Sequence, residues 1–226
     1  MVLPGWMELV AGALPLMLKG AGWTLVLAVA SAVFGALVGA LVGALVALVR
    51  LAKIPLLASL AALYVSGFRG TPLLVQLFVI YFGLPSIGIQ FDPITAGILG
   101  LSLNVGAYLS ETLRGTINGV AHGQWDAARS LGLTQMQVMR HVVGPQALRL
   151  AVPSLSNSLI SLTKDTSLVS VIAVSELMLV TKEVIATTFQ PFPLYLTAAA
   201  IYWALSASFE SLQKKLERRL NRGYLR

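Results

Sequence analysis

Four stretches of this chain contain no Asp, Glu, Lys or Arg: between Lys19 and Arg50, Arg69 and Asp92, Asp92 and Glu111, and Glu183 and Glu210. They run to 30, 22, 18 and 26 residues. A helix needs about 20 apolar residues to cross a hydrocarbon core, so these runs predict membrane-crossing helices. Charged residues make up 11% of the 226 positions and hydrophobic ones 57%, whereas a soluble domain is about a quarter charged. The expected class is all-α integral membrane, with residues 1–226 forming one transmembrane domain.

Five spans are expected. The first covers residues 21–49. The second lies within residues 54–91, a stretch too long for one upright helix and interrupted at Arg69-Gly70-Thr71-Pro72. It reads as a cytoplasm-facing lead-in followed by a span that ends near 83–88. The third covers residues 94–113. The fourth begins near Leu150 and contains Lys164 and Asp165, and the fifth covers residues 193–209. The first span is expected to direct insertion and stay in place, since no basic cluster precedes a short apolar run.

Basic residues orient the spans. Arg50 and Lys53 follow the first, Arg114, Arg129, Arg140 and Arg149 follow the third, and only Asp92 follows the second. Six of the 16 basic residues fall in the last thirteen positions. Positive loops stay in the cytoplasm, which predicts the N-terminus out and the C-terminus in. The formal charge of +7 is thereby explained by membrane topology and anionic lipid, with no call for nucleic acid. In the tail, 210–226, Leu212, Leu216 and Leu220 alternate with Lys and Arg, the pattern of a helix lying at the interface. Gly35, Gly39 and Gly43, four residues apart on one face of the first span, allow close helix approach. Packing within the subunit is the expected use, and a dimer contact the alternative.

The polar segment 114–149 is the most informative. Residues 124–131 suit a short helix stopped by Gly132 in a left-handed cap. Thr134 with Gln137 forms a capping box that starts a second helix, and Gly144-Pro145 is expected to end it. A DNA-binding helix-turn-helix has the same pattern. Such a domain needs a soluble core, however, and apolar spans begin within a few residues on either side.

This segment resembles the cytoplasmic loop of binding-protein-dependent ABC importer permeases: Glu-Ala-Ala, three residues, Gly, nine residues, then Ile-x-Leu-Pro. Asp126-Ala127-Ala128, Gly132 and Pro145 fall at the matching positions, with Asp126, Val142 and Gly144 replacing Glu, Ile and Leu. Segments 68–76, 102–108 and 164–168 resemble the polar-amino-acid branch, which includes histidine, glutamine and arginine systems. The resemblance spans about residues 25–211. It implies a type I ABC importer permease core that works with a second permease subunit, identical or related. It also implies a cytoplasmic ABC ATPase dimer docked on the loop through Asp126, Ala127, Ala128, Gly132 and Pro145, and an extracytoplasmic amino-acid-binding protein. Ala127 and Ala128 are expected to present a flat surface to the ATPase groove. No P-loop occurs in the chain, so ATP hydrolysis is expected on another polypeptide, with no cofactor or metal here.

Ionisable groups inside spans are costly and point to function. The substrate candidates are Arg69, Gly70, Thr71, Asn104 and Asp165. Arg69, or the amides freed at Gly70-Thr71, suits a substrate carboxylate. Asp165, placed mid-span, suits an ammonium or a cationic side chain. Its charge needs an offset from Lys164, Arg69 or substrate, and a local Lys164–Asp165 pair packed between helices is the competing use. Glu111 reads as a structural ion pair. His122 and His141 have no second ligand at metal spacing, and no nucleophile–base pair is present. A permease for another solute, such as an osmolyte or an organic anion, and a membrane-anchored DNA-binding regulator are the alternative functions.

Overall fold

The computed structural model describes residues 5–52 and 55–221, and these contain helices and no strand. Lys53, Arg222 and Arg226, used above for orientation, lie outside the described residues. Three helices are long and apolar enough to cross a membrane, over Gly5–Gly43, Pro93–Asn118 and Pro191–Lys215. A fourth crossing arises if the bent pair Ser59–Gly70 and Leu73–Ile87 is one span.

The first helix, α1 (Gly5–Ala52), has 48 residues, about 72 Å at 1.5 Å per residue. It starts well before the expected residue 21, because Glu8, Pro15 and Lys19 do not stop it. Its main partner is α4 (Pro93–Asn118). A Cβ on Gly35 would lie 2.2 Å from Val105 Cγ1 and 3.1 Å from the Ser102 carbonyl oxygen. One on Gly39 would lie 3.0 Å from the Gly106 carbonyl oxygen. Two of the three stripe glycines therefore serve packing inside the subunit, while Gly43 faces open space. Asp92 caps α4 by accepting from the Ile94 and Thr95 N–H groups at 3.0 and 3.1 Å. Hydrogen bonding from Thr95, and then from Ile94, holds its carboxyl below the usual range.

The second apolar stretch is broken into α2 (Pro55–Gly70) and α3 (Leu73–Phe78), which continues through a π turn and a 3-10 turn to Ile87. The two arms bend by 110°. Two short helices, α5 (His122–Ser130) and α6 (Gln135–Val138), follow α4. Then comes α7 (Gly144–Asp165), whose 22 residues measure about 33 Å. Although long enough, α7 is not among the apolar helices. Ser154, Asn157, Ser161 and Lys164 form one exposed stripe along it. Asp165, expected in mid-span, instead sits at the end of α7, where the chain tightens into a 3-10 helix, Thr166–Ile172.

The chain then turns through Ala173, at φ 63, into α8 (Leu177–Thr188) and α9 (Pro191–Asn221). The tail does not turn along the interface as expected. Its described part, to Asn221, continues α9 without a break, since no Gly or Pro lies between residues 194 and 221 to stop it. Lys214–Glu210 at 2.6 Å and Gln213–Glu217 at 2.8 Å brace its surface at i,i+4 spacing.

Three apolar clusters organise the helices. Leu77, Ile80, Leu101, Leu162 and Val169 join α3, α4, α7 and the 3-10 segment. Met17, Ala21, Leu177, Val180 and Leu194 join α1, α8 and α9. Val120, Ala128, Val138, Val143 and Ala147 close a small core under the loop between α4 and α7.

Candidate functional site: a broken span and a docking loop

The break between α2 and α3 frees backbone carbonyls, and a carbonyl shielded from water needs a partner. Two side chains supply them. Gln76 Nε2 donates to the carbonyl oxygens of Phe68 at 2.8 Å and Thr71 at 3.1 Å, and to Thr71 Oγ1 at 2.9 Å. Asn104 Nδ2, on α4, donates to the same Phe68 oxygen at 3.3 Å and to Gln76 Oε1 at 3.0 Å. Thr71 Oγ1 donates back to the Gly67 carbonyl at 2.8 Å. The bend is thus held by hydrogen bonds from its own far arm and from α4. Gly70 has open space where a Cβ would be. Asn104 Oδ1 accepts nothing among the described residues. Gly70, Thr71 and Asn104 are therefore brought together.

Arg69 leaves this group for α4. Its guanidinium lies 3.6 Å from Glu111 and 5.4 Å from the Tyr108 ring centre. Arg114 takes the same carboxylate, with Nε and Nη2 at 2.9 and 2.7 Å. Glu111 is thereby a shared anchor for two cations, the structural ion pair expected of it. Arg69 is consequently not the counter-charge for Asp165. That carboxylate, partly buried, has no ion pair or hydrogen bond among the described residues. Only Lys164, exposed beside it, is near in sequence, and neighbours on a helix point about 100° apart.

One polar centre has no counterpart in the sequence reading. Glu176 is fully buried and caps α8. Its Oε1 accepts from the Met178 and Leu179 N–H groups at 2.7 and 3.1 Å. Its Oε2 accepts from Thr24 on α1 at 3.1 Å and from Tyr202 on α9 at 2.5 Å. Close by, a Cβ on Gly20 would meet the Leu177 Cα at 3.0 Å. The carboxylate ties three helices together with no cation paired to it among the described residues. The available signal was a Glu just before an apolar helical run, which is a cap signature.

The loop forms the expected pair of short helices. Gly132 takes φ +74, the left-handed turn that favours glycine. Thr134 and Gln137 form the capping box, with Gln137 Oε1 2.8 Å from the Thr134 N–H. Two expectations need correction. Ala128 is not on the surface: it is 3% exposed and packs into the loop's own core, because that core needs a small residue where α5 lies against α6. Asp126 and Ala127 are exposed, and Leu131 and Met136, 79% and 65% exposed, cap the tip. Nor does Gly144-Pro145 end a helix. Residues 139–143 form a π turn that runs straight into α7, with Pro145 in its first turn, where a missing N–H is tolerated. The loop core takes in Val120 beyond the end of α4 and Ala147 on α7. It is part of the spans rather than the free-standing unit that DNA binding requires.

Residues 39–222 match the family described as "Binding-protein-dependent transport system inner membrane component". The probable amino-acid ABC transporter permease protein YckA of Bacillus subtilis is 40% identical over 91% of this chain and 89% of its own. The L-cystine transport system permease protein TcyB of the same organism is 40% identical over 92% of this chain and 88% of its own. The crystal structure of an amino acid ABC transporter with histidines superposes with a TM-score of 0.89 at 35% identity. That match covers 97% of this chain and 100% of the other. With its apolar helices, its bent helix pair and its loop at the motif positions, this chain belongs to the binding-protein-dependent inner-membrane components, as a multi-pass permease subunit of an amino-acid ABC importer in the bacterial cytoplasmic membrane.

Proposed function

We infer that this subunit translocates polar amino acids by alternating access, driven by a cytoplasmic ATPase dimer docked on residues 122–145. A second permease subunit completes the pathway, and an extracytoplasmic binding protein delivers the substrate. The chain crosses the membrane five times, N-terminus out and C-terminus in, with α7 as the polar fourth crossing. The observation that carries the docking reading is the division of labour within the loop. Its inner face is closed by a private core, while Asp126, Ala127, Leu131, Gly132 and Met136 remain exposed at the tip. Two large apolar side chains displayed on such a braced turn are suited to a partner's groove. Pro145 fixes the start of α7 behind them.

Substrate meets the chain where α7 ends and α2 breaks. The Asp165 carboxylate, which has no salt bridge or hydrogen bond among the described residues and only the field of Lys164 beside it, receives the substrate ammonium or a cationic side chain. Asn104 Oδ1 and the open backbone at Gly70 and Thr71 line the way, and Arg69, anchored on Glu111, meets the carboxylate as it passes. The role of the L-cystine relative supports a polar amino acid. Two measurements test the reading. Leu131→Asp with Met136→Asp should abolish co-purification of the ATPase while the subunit still inserts, and an ATPase that still co-purifies would refute the docking surface. Asp165→Asn should leave assembly intact and abolish uptake of cationic amino acids. Unchanged uptake of every substrate would make the carboxylate structural.

A further inference from the structure

The π turn at Met139–Val143 is closed by the Gly144 N–H donating to the Met139 carbonyl. A Cβ on Gly144 would lie 2.5 Å from that oxygen, closer than real Cβ atoms come to backbone, so this turn admits no side chain at its closing residue. The other π turn, Val79–Gly83, is closed in the same way by the Leu84 N–H donating to the Val79 carbonyl, so a side chain is accommodated at that closing residue. The tight approach is particular to the turn at Gly144; inside the other turn, a Cβ on Gly83 would find its nearest atom at 3.8 Å.

The turn has a geometric consequence. Val138 lies before it, Val143 closes it and Ala147 follows, and all three point into the same small core with Ala128. In a regular α-helix the five-residue step from Val138 to Val143 would turn the second side chain about 140° away from the first. The wider turn absorbs one residue and returns Val143, then Ala147, to the loop's inner face. It therefore fixes the angle at which the loop is carried on α7. π turns arise as single-residue insertions in α-helices, often at working positions. The motif that this loop matches has leucine at the position of Gly144, so the glycine is a feature of this chain.

We propose that Gly144 is a positioning residue for transport: the tight π turn that it closes, with no room for a Cβ against the Met139 carbonyl, sets the phase between the docking loop and α7, and so the direction in which α7 is driven. The proposal rests on the reading of the loop as an ATPase dock. Its effect on the joint itself can be measured separately.

The chain contains no cysteine. Gln146 Nε2 on α7 donates to Gln124 Oε1 on α5 at 3.1 Å, so Gln124→Cys with Gln146→Cys reports the phase by disulfide cross-linking. The test uses the complete complex in vesicles, with Gly144→Leu, the milder Gly144→Ala, and Gly83→Ala as control. In Gly144→Leu both cross-linking and uptake per ATP hydrolysed should fall by about tenfold, within the range of ordinary coupling energies. Gly144→Ala should move both the same way by less, and Gly83→Ala should change neither. Deleting Arg140 in the Gly144→Leu background removes the extra residue of the turn and should restore both readings. A merely destabilised loop would not recover. Full cross-linking in Gly144→Leu, or no recovery on deleting Arg140, overturns the joint. Lost cross-linking with unchanged uptake per ATP overturns its part in transport. A parental complex that holds no ATPase would strike the docking reading instead, and cross-linking would still judge the joint.

Discussion

Tyr202→Phe removes a single atom from the buried junction of α1, α8 and α9, and its effect can be worked from the geometry. Glu176 has four donors on its two oxygens. Losing the Tyr202 hydroxyl leaves three, and the phenylalanine ring keeps its place against the apolar cluster that joins α1, α8 and α9. A hydrogen bond to a charged group contributes about 1.5–3 kcal/mol. Opening of the first turn of α8 should therefore become about tenfold to a hundredfold more frequent. Glu176→Ala should be worse, because it leaves the Thr24 and Tyr202 hydroxyls and the Met178 and Leu179 N–H groups buried without an acceptor. Hydrogen exchange of the α8 amides, measured by mass spectrometry on detergent-solubilised protein, reads this opening directly. Protection should fall in the order parent, Tyr202→Phe, Glu176→Ala, and stay unchanged in α3 and α4, which belong to a different apolar cluster. If Glu176→Ala exchanges no faster than the parent, the carboxylate does not hold α8 and the reasoning is wrong.

Gly35→Ala should destabilise the α1–α4 pair by about 1–3 kcal/mol through overpacking against Val105, whereas Gly43→Ala should be neutral; thermal inactivation of the two variants compares them. Ala127→Trp should block ATPase association and leave the loop folded, while Ala128→Trp should disrupt the loop itself, as read by protease susceptibility between residues 119 and 144. Single cysteines at Ser86 and Gln135 should label from opposite sides of the membrane, Ser86 from outside, and labelling of both from one side would refute the five-crossing topology.

The charge-free gaps located the apolar helices because hydrocarbon tolerates little else, and Gly132 with the Thr134 capping box was legible because both are local. What escaped depends on contacts between distant residues. Glu176 looks like an ordinary loop acid until Thr24, 152 positions away, and Tyr202 close around it. Arg69 was free to be assigned to Asp165 until α4 brought Glu111 and Tyr108 to it. Ala128 and Ala127 are identical in sequence terms, and only the position of α6 decides which one is inside. Gly144-Pro145 reads as a stop because proline lacks an N–H, and nothing local announces that a wider turn lets the helix continue. At Asp165 nothing local marked the end of α7, since an acid is disfavoured at a helix C-terminus, and the apolar run beyond it concealed the change to a 3-10 helix.

The glycine seam between α1 and α4 also governs how the protein meets membranes of different thickness. Where Gly35 and Gly39 face Ser102 and Gly106, the two helices touch backbone to backbone, and Val38 fills the notch at Gly106. Neither can tilt without the other. A helix longer than the hydrocarbon it crosses adapts by tilting, and α1 is far longer than a bilayer. A thicker or thinner membrane must therefore rock α1 and α4 together as one stave, and α4 carries Asn104, which holds the bend of the broken span, and Glu111, which holds Arg69. Bilayer thickness is thereby mechanically linked to the bend between α2 and α3, and lipid chain length becomes a variable that uptake should feel.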